Sequence, residues 1–181
     1  MSLTLITPPA AEPINLADMK AHLRVTHSDE DALITGLIIA AVRAIEARCG
    51  IAMMAQQWRL RLDEMPRCLT LPIGPVSAID AISVTDIAGT DHSIGAGGYA
   101  FAPGKPGRLR ADTPWPQAAH GGITIDFTAG FDGAIPAPLL QAIKMLCGAF
   151  YEQRESTSEI RRYAIPESFN ALIAPYREMR L

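Results

Sequence analysis

The hydrophobic period of this chain changes twice, and that change restricts its fold more than any single motif does. Ahead of Gly50 the apolar residues recur at helical spacing, with Leu33, Leu37, Ala41 and Ile45 forming one stripe. From Gln56 the period becomes two: Trp58, Leu60 and Leu62 alternate with Gln57, Arg59, Arg61 and Asp63, the pattern of a half-buried strand. After Pro136 the helical period returns, and Leu139, Ile143, Leu146 and Phe150 fall at i, i+4, i+7 and i+11. Such a chain reads as α+β. Its two ends, residues 1–55 and 134–181, form one discontinuous helical bundle, and residues 56–133 form an antiparallel β insertion between the two long helices. The ends must pack together, because neither long helix buries its stripe alone and helices under ~15 residues are marginal in water.

Local signals place the elements. After the proline-containing arm "MSLTLITPPAAEP", Asn15 is set to cap a short helix with Asp18 at the capping-box position and Leu16, Met19 and Leu23 on one face, stopping near Val25. Ser28 restarts the pattern as an N-cap, Asp29, Glu30 and Asp31 suit the positive end of the helix dipole, and Gly50 ends the helix. Further short strands are predicted at Leu69–Leu71, Ile79–Asp86, Gly98–Phe101, Arg108–Arg110 and Ile123–Phe127, separated by Pro and Gly turns. Tight turns join antiparallel strands, so a meander or small barrel is expected. A polar connector from Ser156 to Tyr163 leads past Pro166 to a last amphipathic helix, a C-terminal arm carrying Phe169, Leu172, Ile173 and Tyr176.

Composition excludes several classes of function. With 16 Lys+Arg against 19 Asp+Glu and a net charge of -3, the chain has no cationic field for holding a phosphate backbone. Three cysteines without a CxxC pair argue against a disulfide framework or a zinc site and suit a reducing cytosol. Cys49 and Cys147 lie in apolar helical stretches and read as buried, Cys68 as exposed. No apolar run reaches 18 residues, and the N-terminus lacks the features of a signal peptide, so neither a membrane span nor secretion is expected.

Motifs for chemistry are missing too. His22, His27, His92 and His120 are scattered, with no HExxH and no Cys/His cluster at metal spacing. The Asp29 to Asp31 run lacks the spacing of a calcium loop and reads as a helix start. "GAGGYAFAPGKPGRLR" lacks the order of a phosphate-binding loop and reads as a hairpin, and no G-x-S-x-G elbow occurs. No catalytic residue, metal or cofactor is expected. An enzyme reading would have to rest on Asp86, Asp91 and His92 in the β insertion, where no pattern supports it.

The order of blocks says more. "PINLADMKAHLRVTHSDEDALITGLIIAAVRAIEARCG", then "QQWRLRLDEMP", then "ITIDFTAGF" running into "IPAPLLQAIKMLCGAFYEQRE", closely resembles the head-tail connector (adaptor) family of long-tailed phages, especially members with a β insertion such as the adaptors of gene transfer agents. The resemblance spans nearly the whole chain and includes the closing "ALIAPYR". It implies a mechanical role: a homo-oligomeric ring, commonly of twelve copies, beneath the portal protein, joined on its other surface to a stopper or tail-terminator protein, with double-stranded DNA passing through the channel without specific binding. The protein would be made in the bacterial host cytoplasm and reside at the head-tail junction, with no membrane partner.

In similar adaptors the C-terminal segment engages the portal, here roughly Ile165 to Leu181, so Phe169, Leu172, Ile173, Tyr176, Arg177 and Arg180 are the candidate portal-binding residues. Aromatic anchors beside arginines suit an interface, although the same apolar face would equally complete the subunit's own core. Arg154, Glu155, Glu159, Arg161 and Arg162 form a mixed-charge run that fits a subunit interface or the channel wall. The alternative is a DNA-binding packaging factor whose arginines in this run contact phosphates.

Overall fold

The computed structural model describes residues 1–152 and 167–177. The connector from Ser156 to Tyr163, the charged run Arg154, Glu155, Glu159, Arg161 and Arg162, and Arg180 lie outside the described residues. The fold is α+β, with four α-helices among the described residues and antiparallel sheets, and the chain divides into two compact units: Met1–Ala10 with Met54–Gly133, and Ala11–Met53 with Ala134–Leu181.

The first unit is built of strands β1 (Ser2–Thr7), β2 (Gln56–Leu62), β3 (Leu69–Thr70), β4 (Val76–Asp86), β5 (Asp91–Ser93), β6 (Tyr99–Ala102), β7 (Arg108–Ala111) and β8 (Ala118–Ala129). They form a five-stranded sheet in the order β1-β2-β8-β4-β5 and a three-stranded sheet in the order β3-β7-β6. A meander or small barrel was expected; in the five-stranded sheet β8 lies between β2 and β4, which departs from a meander of sequence neighbours. The cause is in β8 itself, which at twelve residues is the longest strand and alternates cleanly, burying Ile123, Ile125, Phe127 and Ala129. A strand so apolar on one face is best satisfied with a partner on each side. Leu60 and Ile82 both pair with Ile125, while Trp58 and Ile79 flank Phe127. On the opposite face Asp126 receives a two-pronged contact from Arg59, both bonds at 2.7 Å, which holds the guanidinium firmly protonated.

The first ten residues correct the expected boundary. They were assigned to the helical domain as an arm, yet Ser2–Thr7 pairs antiparallel with β2, Leu3 opposite Leu60 and Leu5 opposite Trp58. "SLTLIT" alternates as a strand should, but its partner lies some fifty residues away, out of reach of a local pattern. The glycine-rich segment does form the expected hairpin, with Phe101 opposite Leu109 in β6 and β7.

The second unit holds α1 (Leu16–Leu23), α2 (Asp31–Cys49), α3 (Ala137–Glu152) and α4 (Glu167–Ile173). Asn15 caps α1: its side-chain oxygen accepts from the Asp18 amide at 2.8 Å, and its amide nitrogen donates to the Asp18 carboxylate at 3.1 Å. Ser28 does not cap α2. The helix begins three residues later, and the two acids at its start tie elements together: Lys20 binds Asp31 at 2.5 Å, and the Tyr151 hydroxyl donates to Glu30. Gly50, left-handed at φ 63°, ends α2.

On α3 the expected stripe is in place, with Leu139, Ile143 and Leu146 buried and Phe150 half-buried. On α2 its second half, Ala41 and Ile45, is in place, and its first half is displaced by one residue, from Leu33 and Leu37 to Ile34 and Ile38. Ile34, Ile38, Ala41, Val42 and Ile45 are buried, while Leu33 is exposed. "LITGLIIAAV" is apolar on every side, so spacing alone could not say which stripe meets the partner helix α3.

Candidate functional site

The C-terminal candidates separate by burial. Phe169 is 2% exposed and Ile173 fully buried, so these two side chains belong to the core of the helical unit. Two contacts fasten α4 beside them: Arg48 donates to the Asn170 side-chain oxygen at 3.2 Å, and the Cys49 sulfur lies 4.0 Å from the Ile173 carbonyl oxygen. The chain then turns through a single 3-10 turn, Ala174–Tyr176. Outward from this base lie Leu172 and Tyr176, both half-buried, with Ala171, Ala174, Pro175 and Arg177 exposed. The result is a small apolar surface with one aromatic ring and one arginine, carried on the end of a seven-residue helix and the turn that follows it, with the core holding the helix in place.

The β unit offers two polar assemblies, and both serve its loops. At the β4–β5 hairpin Asp86 accepts from the Ala88 and Thr90 amides at 2.9 Å each and meets His92 at 2.8 Å. Asp91 accepts from the Thr85 hydroxyl at 2.6 Å. The hydrogen bond from His92, and after it that from the Thr90 amide, holds the Asp86 carboxyl below its ordinary range. A carboxyl whose folded pKa is lowered contributes stability above its unfolded pKa and loses it as pH falls through the folded value. The Ala88 and Thr90 amide shifts should therefore titrate with a midpoint below ~3.9, the ordinary aspartate value. An NMR titration showing a midpoint at or above that value, or the same transition in Asp86→Asn, would contradict this account.

The second assembly lines a cavity of about 620 Å³ whose walls include Asp63, Arg67, Trp115 and His120. Asp63 accepts from the Gly121 amide at 2.8 Å and meets His120 at 2.8 Å, and the Trp115 indole donates to the Gly98 carbonyl at 3.1 Å. The first two tie Asp63, just past β2, to the first residues of β8, and the third pins the loop that leads into it. Among the described residues no three His, Cys, Asp or Glu side chains are grouped to hold a metal ion, and no helix is long and apolar enough to cross a membrane.

Residues 13–94 match the family model of the phage gp6-like head-tail connector protein. The whole chain also superposes on solved structures of gene transfer agent (GTA) particles. A chain from the neck of an empty GTA particle with C6 symmetry is 30% identical with a TM-score of 0.85, the alignment covering 100% of this chain and 97% of that one. The chain belongs to the phage head-tail connector family. Two further matches, again 30% identical over 100% of this chain and 97% of the other, are chains from the virion of a native GTA particle, TM-score 0.83, and from the neck of a native GTA particle computed with C12 symmetry, TM-score 0.80. No curated protein matches. The family and these neighbours are structural parts of particle necks, not enzymes.

One feature of this connector escaped the sequence reading. Glu46, a charged residue in α2, is 7% exposed; it accepts from the Met53 amide at 2.8 Å and from Arg43 at 2.6 Å, satisfying the backbone where the chain leaves the helix. The only hint in the sequence is the i, i+3 spacing of Arg43 and Glu46. The cysteines, in contrast, sit as read: Cys49 and Cys147 are buried, Cys68 is exposed, and burial pushes the Cys147 thiol up to about 11. A thiol-reactive dye should label the native connector at one site, lose that labelling in Cys68→Ser, and reach all three thiols only in denaturant. Native labelling of Cys147 at a rate near that of Cys68 would refute the packing described for α3.

Proposed function

We propose that this connector is an adaptor subunit of a phage-type particle, located in the neck at the head-tail junction, where twelve copies form a ring beneath the portal. The other surface of the ring meets a stopper or tail-terminator protein, and double-stranded DNA passes through the channel without specific binding. The observation that carries this reading is the full-length match, at 30% identity and a TM-score of 0.85, to a chain of a GTA neck. In this reading the strands between α2 and α3 are an insertion into the helical connector domain.

Portal contact falls to Leu172 on the outward face of the C-terminal helix and to Tyr176 and Arg177 on the turn after it, with Phe169 and Ile173 as the base that holds them. Passage of DNA is consistent with an acidic balance of 19 Asp+Glu to 16 Lys+Arg, since a wall that bound phosphates strongly would retard the duplex. Arg59 and Arg110 are each engaged by a carboxylate, Asp126 and Asp112.

The test is cosedimentation of the full chain with the cognate portal ring, alongside the double variant Tyr176→Ala, Arg177→Glu. The wild type should bind in stoichiometric amounts and the variant about tenfold or more weaker, the scale expected for losing an aromatic anchor and an arginine from an interface. A wild type that does not bind the portal sinks the adaptor reading. A variant that binds as well as the wild type removes the portal role of the C-terminal face alone.

A further inference from the structure

The ring reading leaves open which surfaces of neighbouring copies meet, and α2 carries the observation that bears on it. Every exposed position of α2 from Ala32 to Ala47 is uncharged. Leu33 and Ile39 are each 41% exposed, Ala40 and Ala44 lie beside them, and a Cβ added at Gly36 would meet nothing within 4 Å. Arg43 lies on this same face, one turn beyond Ile39 and Ala40, but it is turned to Glu46 at 2.6 Å and Glu12 at 3.4 Å, so its charge is already matched. A surface helix ordinarily turns charged side chains to water on the face away from its core. This one presents an apolar stripe several turns long, with small residues that let a neighbouring element approach closely.

The same helical unit carries a surface of the complementary kind. A shallow groove of about 550 Å³ runs along α1, lined by Leu16, Ala17, Lys20, Ala21, Val25 and Asp31. Asp31 and Ala40 are nine residues apart, about two and a half helical turns, which puts groove and stripe on opposite sides of α2. Two different patches on opposite sides are what a head-to-tail contact between copies needs; a twofold contact would bring one patch against itself. The Lys20–Asp31 ion pair supplies a polar rim to the apolar groove.

Resting on the adaptor reading, we infer that the ring closes by seating the α2 stripe of one copy, centred on Gly36, Ile39 and Ala40, in the α1 groove of the next. The occupant of both surfaces is a second copy of this chain. A charge placed in the middle of the stripe must then be desolvated on assembly without a partner, while the free subunit keeps it in water.

The experiment is mass photometry of the full chain with the portal ring, for the wild type, Ala40→Glu, Ala17→Lys and the double variant. Circular dichroism and melting of the free subunits run alongside. Ala40→Glu should melt like the wild type and populate rings about tenfold or more weakly, and the double variant should regain them, because the glutamate of one copy then faces the lysine of the next. If wild type and Ala40→Glu both form rings equally well, the stripe is not the contact, and the adaptor reading stands. If Ala40→Glu fails but the double variant does not recover, the groove assignment is wrong. A wild type that stays monomeric on the portal overturns the ring reading and this inference with it. Should Ala40→Glu melt lower than the wild type, Ala44→Glu, at another exposed position of the stripe and again paired with Ala17→Lys, decides between the same outcomes.

Discussion

Replacing Gly130 by alanine is expected to destabilise the β unit by about 3 kcal/mol or more, corresponding to a fall in melting temperature of about 6–12 °C for a chain of this size. Gly130 follows β8 with φ at 150°, a conformation that L side chains rarely adopt. Space is refused as well: an added Cβ would lie 2.5 Å from the Met54 carbonyl oxygen and 2.6 Å from the Ala55 nitrogen, both backbone atoms next to the start of β2. Neither can swing away as a side chain would. The Gly130 amide also donates to the Pro75 carbonyl at 2.9 Å, so a shift of the glycine disturbs the approach to β4 too. One residue thus fixes the chain where β2, β8 and β4 run together. Both tryptophans, Trp58 and Trp115, lie in this unit, so their fluorescence during urea or thermal unfolding reports on it directly. A loss below about 1 kcal/mol, the ordinary cost of a point substitution, would show that the backbone relaxes there.

Gly130 is also the glycine of "ITIDFTAGF", one of the blocks on which the family resemblance rests, and its position shows what kind of information the sequence held. Where a side-chain pattern acts on its own element, it was legible: the α3 stripe, the alternation of β2 and β8, the cap at Asn15, the β6–β7 hairpin. Where the answer depends on a distant partner, it was not. β1 needed β2 to be recognised as a strand, β5 has only three residues, and the placing of β8 between β2 and β4 follows from which strand takes a partner along each edge. In the first half of α2 two stripes one residue apart are equally apolar, and the core took Ile34 and Ile38 rather than Leu33 and Leu37, before rejoining the i, i+4 count at Ala41 and Ile45. The C-terminal helix poses the same problem on a smaller scale. Phe169, Leu172, Ile173 and Tyr176 fall at i, i+3, i+4 and i+7, and that spacing does not say that Phe169 and Ile173 turn inward. Burial divides them into a base and a surface, and that division yields a test.

Phe169→Ala should cost about 3–5 kcal/mol, the usual range for emptying a fully buried aromatic site, and its effect should be concentrated on α4. A seven-residue helix is far too short to persist in water without tertiary contacts, so its hold on the helical unit is its stability. With the ring gone, the Arg48–Asn170 hydrogen bond and the packing of Ile173 against the Cys49 region lack the anchor beside them. Cys49, buried in the native subunit, should then become reactive toward a thiol dye under conditions where Cys147 stays protected. Leu172→Ala is the matching control: Leu172 is half-buried on the outward face, and its loss should cost about 1 kcal/mol or less. If the outward face docks on the portal, Leu172→Ala weakens cosedimentation while leaving Cys49 protected, whereas Phe169→Ala weakens it by releasing the helix that presents the face. Equal dye reactivity of Cys49 in both variants would mean that α4 is not held as described, and the separation of base from docking surface would fail with it.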